Sequence, residues 1–388
     1  MTYDFDTPIN RKGSGCFKYD ALKMIYGYDD LVPLWVADMD FAVAPAIQEA
    51  MQKRLNHPVF GYNLRLPGYY EAIMEWTSTR YNWTTKREWI VSPPGVVPAL
   101  CLAILSLTQP GDGILIQPPV YNPFHTSVTD HGRNLLYNHL VPGPRGWEID
   151  FEDFEKQARL AKLFILCNPH NPTGRVFTKA ELLKLGEICK RHNVLIFSDE
   201  IHADIIYPGS SHIAISSLED LGDITLTGFS PAKSFNLAGL GTGILMIPNP
   251  MLREAVSGLN NKLHLYMGNS FGIAAVEAAY RDGLPWLEEL MKYLEGNRDL
   301  ITGFLKENLP EIVAFQPEGT YLYWLDFRAL GMKAEDLQKL LTEKAGIALD
   351  TGFKYGRGYE LFHRINFGCS RSVLQEGLNR LHLAIRSI

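Results

Sequence analysis

Cysteine is scarce in this 388-residue chain, and none of its five cysteines (Cys16, Cys101, Cys167, Cys189, Cys369) forms a C-x-x-C pair. That spacing excludes both a disulfide framework and a zinc ribbon, and it reads as free thiols in a reducing compartment. Basic blocks are lacking too. Lysine and arginine number 37 against 43 acidic residues, a net charge of -6 that argues against a nucleic-acid partner. The longest apolar run, residues 96–107, contains Pro98 and falls short of the ~20 residues that a membrane span requires. Residues 1–12 alternate charged and apolar side chains, unlike a secretory leader. Low-complexity tracts and fixed-period repeats are also missing. What remains, with 46% hydrophobic and 21% charged residues, has the composition of a soluble cytoplasmic enzyme. Its length accommodates two domains of ordinary size.

Hydrophobic periodicity assigns an α/β fold. Helical patterns at 46–55, 69–80, 96–108 and 178–192 alternate with short apolar runs at 114–116, 163–167, 194–197, 224–229 and 243–247. This alternation predicts a large domain, 45–285, built on a mainly parallel central sheet. Glu181 stands three residues after Thr178, the spacing of a capping box. After Pro285 the character changes to a long helix over 286–309, strands at 321–327 and 363–367, and helices at 334–344 and 373–388. These predict a smaller α+β domain, 286–388. Residues 1–44 carry too few periodic runs to fold alone, so they are expected to pack on that domain or on a partner subunit.

Ligand groups in such sheets lie beyond the carboxyl ends of the strands. Asn171, Asp199 and Ser230 all fall there, and Lys233 follows Ser230 in a turn of small residues. A lysine held in a pocket can attach covalently to an aldehyde cofactor; a lone lysine is more often a solvated surface residue. Asp199 could keep a pyridine nitrogen protonated, or simply cap a helix. Asn171, in the turn Asn171-Pro172-Thr173-Gly174, could donate its amide to a ring oxygen. Gly95, Val96 and Val97 open a helix, where backbone amides suit a phosphate, and Ser230 could add its hydroxyl. Ordinary turn and capping chemistry explains these four equally well. Tyr121 could stack on an aromatic ring or belong to the core. Arg364 shares a strand face with Asn366, and its guanidinium matches a carboxylate, although strand arginines are commonly just exposed.

Four stretches carry a specific likeness: Trp35-Val36-Ala37-Asp38-Met39-Asp40-Phe41, Asn168-Pro169-His170-Asn171-Pro172-Thr173-Gly174-Arg175-Val176, Ser198-Asp199-Glu200-Ile201-His202-Ala203-Asp204 and Phe235-Asn236-Leu237-Ala238-Gly239-Leu240. Through them almost the whole chain resembles the fold-type I pyridoxal-phosphate enzymes of the class I/II aminotransferase superfamily. The narrower likeness is to the MalY/PatB group of carbon–sulfur β-lyases. This resemblance implies pyridoxal 5'-phosphate as cofactor, Lys233 as the residue that binds it covalently, and Asp199 at its ring nitrogen. It also implies Asn171 at the ring oxygen, the Val96 and Val97 amides with Ser230 at the phosphate, Tyr121 over the ring, and Arg364 on the substrate carboxylate. Tyr62 matches a tyrosine that reaches the phosphate of the neighbouring subunit, so a homodimer is implied as well. Two positions depart from the aminotransferase pattern. His202 stands where a tyrosine is usual, as it does in the lyase group, and Gly241 replaces an arginine that often holds the phosphate. The expected activity is cleavage of L-cystathionine or L-cysteine conjugates to pyruvate, ammonia and a thiol, with no metal involved. An aminotransferase using the same residues is the alternative, and a cofactor-binding regulatory protein the more distant one.

Overall fold

The computed structural model describes residues 2–388. Seven strands form the larger sheet in the spatial order Ile90–Val91, Ile244–Met246, Thr225–Phe229, Leu195–Asp199, Ala161–Cys167, Gly113–Ile116, Asn134–Tyr137. All run parallel except Ile244–Met246, which is antiparallel to both its neighbours. The unbroken apolar run of Ala161–Cys167 follows from burial on both faces, because alternate side chains point to opposite sides of a sheet. Leu163 and Ile165 join the core built with the helix Val96–Leu107. Phe164 and Leu166 join the opposite layer, with Leu182 and Leu185 of the helix Lys179–Arg191. That helix opens on the expected capping box: Thr178 Oγ1 accepts from the Glu181 amide, and the Glu181 carboxylate accepts from the Thr178 amide at 2.8 Å.

The smaller sheet has four strands in the order Val32–Leu34, Ile347–Thr351, Phe362–Asn366, Leu322–Asp326. Val32–Leu34 lies parallel to Ile347–Thr351, and the other pairings are antiparallel. The N-terminal segment thus contributes an edge strand. Pro33 fits there, since an edge position leaves one side of the strand without need of an amide donor. The helix Leu284–Asn308 buries Leu287, Leu290, Leu294, Ile301 and Leu305 in one continuous core with Trp76, Phe235 and Ile365. The expected helix 334–344 is a short α-helix, Ala334–Lys339, that widens into a π-turn over Leu340–Lys344. Among the described residues no helix is long and apolar enough to cross a membrane.

Candidate functional site

Strand ends of the larger sheet open onto a cavity of about 200 Å³, lined by Gly95, Val96, Val97, Tyr121, Asn171, Asp199, His202 and Lys233 among others. Eight of the eleven residues singled out from the sequence therefore meet at one place. Lys233 gets there on a four-residue helix, Pro231–Ser234, whose start is fixed locally. Ser230 Oγ accepts from the Ala232 amide at 3.1 Å, and Pro231 presets the first helical φ. Lys233 Nζ donates to the Ala37 carbonyl at 2.5 Å, and Tyr321 Oη donates to the same oxygen at 3.0 Å. Burial disfavours the ammonium form and Arg364 repels it; Asp38 and Asp199 offset this only in part, so the amine titrates at about 8.

Asp199 ends the strand Leu195–Asp199, and one of its oxygens accepts from the Ile201 amide at 3.1 Å. Burial pushes its carboxyl up to about 7, against the pull of that amide and of Lys233. A cation brought to it would restore the charged form. His202 is buried beside it, its ring edge-on to Tyr321, and its Nδ1 has no hydrogen-bond partner. Burial, then Lys233 and Arg364, hold that imidazole well below its ordinary pKa, so it is neutral near pH 7. Asn171 is buried, and its Oδ1 accepts from Arg364 Nη1 at 3.0 Å, which leaves its NH2 group to donate elsewhere.

Val96 and Val97 begin a twelve-residue helix, so their amides have no intrahelical acceptor. Gly243 runs against this start so closely that a Cβ there would lie 2.7 Å from the Gly95 backbone. Thr242 and Gly241 complete this part of the wall. Three expected residues are placed differently. Ser230 is not among the residues lining the cavity; its hydroxyl donates to the Thr242 carbonyl at 2.6 Å while capping its own helix. Tyr62 is 95% exposed and does not line this cavity. Arg364 stands one layer back, buried, joined to the wall through Asn171.

Sequence reasoning assigned no role to the individual residues of segment 35–41, yet this strap closes the site with its backbone. Trp35 O accepts from Arg364 Nη2 at 2.7 Å, Val36 O and Asp38 O accept from Asn366 Nδ2, and Ala37 O accepts from Lys233. Asn236 clamps the far end, donating to Met39 O and Phe41 O and accepting from the Met39 amide. Underneath, the fully buried Lys18 bonds Asp40 at 2.8 Å, and Arg11 bridges Asp38 and Asp40. Carbonyls are common to every residue, so no side-chain pattern could have announced them.

The donor set suits pyridoxal 5'-phosphate group by group. Free helix-start amides fit a phosphate, a carboxyl displaced upward by burial fits a cationic ring nitrogen, and a lysine near its neutral form fits the aldehyde. The buried His202 Nδ1, without a partner among the described residues, shows that the wall offers a polar group for a ligand.

Comparison with known proteins agrees. The family described as "Aminotransferase class I and II" matches residues 29–381. Cystathionine beta-lyase PatB of Bacillus subtilis is 42% identical over 385 residues, covering 98% of this chain and 100% of that one. Cystalysin from Treponema denticola, whose crystal structure contains pyridoxal 5'-phosphate, superposes with a TM-score of 0.96 at 36% identity over 100% of both chains. The PLP-bound C-S lyase from Staphylococcus hominis gives a TM-score of 0.93 at 33% identity, covering 99% of this chain and 98% of the other.

Proposed function

This chain belongs to the aminotransferase class I and II family, and we propose that it is a pyridoxal-phosphate-dependent carbon–sulfur β-lyase of the cystathionine β-lyase type. The observation that carries the reading is a lysine with an amine pKa of about 8 sharing one cavity wall with a carboxyl raised to about 7. Pyridoxal 5'-phosphate supplies, when bound, the aldehyde that takes up the substrate amine and the ring that accepts the Cα electrons.

The chain's own residues do the rest. Asp199 would hold a proton on the ring nitrogen, which would make the ring the stronger electron sink. The Val96 and Val97 amides would hold the phosphate, Asn171 would donate to the ring oxygen, and Tyr121 would pack against the ring. Arg364 binds the α-carboxylate of the amino acid. Lys233 removes the Cα proton, and a base titrating near the working pH is well matched to that task. The Cβ–S bond then breaks, and sulfur leaves with the electron pair and gains a proton as the thiol. The three-carbon remainder takes up water and departs as pyruvate and ammonia. Neutral His202 stands beside Lys233 without competing for the proton.

A homodimer is supported by the exposed apolar run Val59, Phe60, Tyr62, Leu64 and Leu66, each more than half accessible in the single chain. Tyr62 then reaches the phosphate of the neighbouring site. Free, buried Cys167, Cys189 and Cys369 fit a reducing, cytoplasmic setting.

The reading is tested by supplying L-cystathionine with no keto acid present. Pyruvate, ammonia and homocysteine should accumulate over many turnovers, whereas L-alanine, which lacks a leaving group at Cβ, should give no pyruvate by elimination. Transfer of the amine to 2-oxoglutarate faster than thiol release would make the protein an aminotransferase instead. Lys233 also sets a pH dependence. Only its neutral amine attaches to an aldehyde, so cofactor capture by the apoprotein should quicken as pH rises through about 8 and then level off. Stopped-flow absorbance would follow this, and a rate that fell across the range would rule out Lys233 as the attaching amine.

A further inference from the structure

Arg364 does not meet a substrate alone. Asp350 lies directly across from it in the pairing of Ile347–Thr351 with Phe362–Asn366. The Asp350 Oδ2 sits 3.0 Å from Arg364 Nη2 and also accepts from Tyr355 Oη at 2.6 Å. The other oxygen, Oδ1, takes Lys354 Nζ at 2.8 Å. Burial raises the Asp350 carboxyl, but Arg364 and Lys354 outweigh it and keep the group below its ordinary pKa, hence charged.

The arithmetic of charge is what gives Lys354 a purpose. Arg364 and Asp350 alone would be a neutral pair, a poor attractant for an anion in a buried place. With Lys354 on the far oxygen, the row reads plus, minus, plus, and one positive charge is left for a ligand. The other partners of Arg364, Trp35 O and Asn171 Oδ1, are neutral acceptors. A carboxylate outcompetes those through a charge-assisted bond, whereas Asp350 is anchored and stays.

We propose that Lys354 is a positioning residue that sets how strongly Arg364 holds the substrate's α-carboxylate, by drawing the charge of Asp350 away from it. The inference rests on Arg364 being the carboxylate partner. Lys354 does not line the cavity and its side chain is 38% exposed, so its influence is electrostatic and partly screened.

The test uses the cofactor-loaded enzyme, titrated by absorbance with L-alanine and, separately, with L-alaninamide, which lacks the carboxylate. Lys354→Gln and Lys354→Met should weaken L-alanine binding about three- to tenfold and leave L-alaninamide within about twofold of the parent, with Lys354→Arg restoring the difference. For L-cystathionine the same neutral variants should raise KM with kcat nearly unchanged. Equal weakening of both ligands would mean a merely structural role and overturn the proposal, as would no change in either. Arg364→Lys separates the two levels of inference. If it weakens L-alanine binding while the Lys354 variants are silent, only the role of Lys354 fails. If it leaves L-alanine binding unaltered, the carboxylate contact itself is misassigned.

Discussion

Replacing Lys233 with alanine is expected to remove the visible absorbance of the lysine–cofactor linkage and to lower turnover by roughly 10³-fold or more, since covalent attachment and proton removal are lost together. No other lysine lines the cavity to take over. The loss should come without unfolding. The helix Pro231–Ser234 is held by the Ser230 cap and Pro231, neither of which the substitution touches, and removing an ammonium that burial disfavours relieves a cost. The Ala37 carbonyl keeps a donor in Tyr321 Oη. Absorbance, borohydride trapping and thermal unfolding on one preparation check all of this. An unchanged spectrum, with trapping at a different lysine, would sink the assignment.

The chemistry of this site was more legible in the sequence than its enclosure. Lys233, Asp199 and Asn171 stood out because each follows a short apolar run, and strand ends are where an α/β sheet presents its ligand groups. Local rules also recovered the Thr178 cap, which is decided within four residues. Ser230 shows where local rules divide. One hydroxyl could serve a phosphate or a helix start; the fold sets it at the helix start and brings Thr242, twelve residues away in the chain, within 2.6 Å of it. The strap 35–41 works through backbone carbonyls, which carry no side-chain signature at all. Val32–Leu34 was hidden for a different reason: Pro33 argues against a strand unless an edge is available, and that edge belongs to a strand more than 300 residues later. Asp350 went unnoticed with it, because its meaning depends on the register that sets it opposite Arg364.

That division has a physical consequence for the strap. Arg364 and Asn366 belong to a strand of the smaller sheet and Lys233 to the short helix that follows a strand of the larger one, and all three donate to consecutive carbonyls of residues 35–38. The strap is therefore the element that fixes Arg364 of the smaller sheet relative to Lys233 on the larger domain. Its own rigidity comes from beneath, where Asn236 and the buried Lys18–Asp40 pair hold it. A site assembled this way keeps its reacting groups aligned without a dedicated side chain from the strap.

Asp199→Asn is expected to separate function from stability by moving them in opposite directions. The asparagine keeps the shape and an oxygen to accept from the Ile201 amide, but it cannot hold a proton on a ring nitrogen. Losing that charge-assisted contact removes about 1.5–3 kcal/mol, or between about ten- and a hundredfold in turnover of L-cystathionine. The apoprotein should respond the other way. A carboxyl raised to about 7 in the folded state stabilises the fold while protonated and ceases to do so as pH climbs through about 7, because ionisation is then opposed only in the folded chain. At pH above about 7 the parent apoprotein carries that penalty and the asparagine variant does not. Denaturant midpoints of the two apoproteins, taken at acidic and at alkaline pH, should differ little at the first and favour the variant at the second. A variant with parent-like turnover would remove Asp199 from the ring nitrogen, whereas one less stable than the parent at alkaline pH would show that the carboxylate supports the fold and is not strained by its burial.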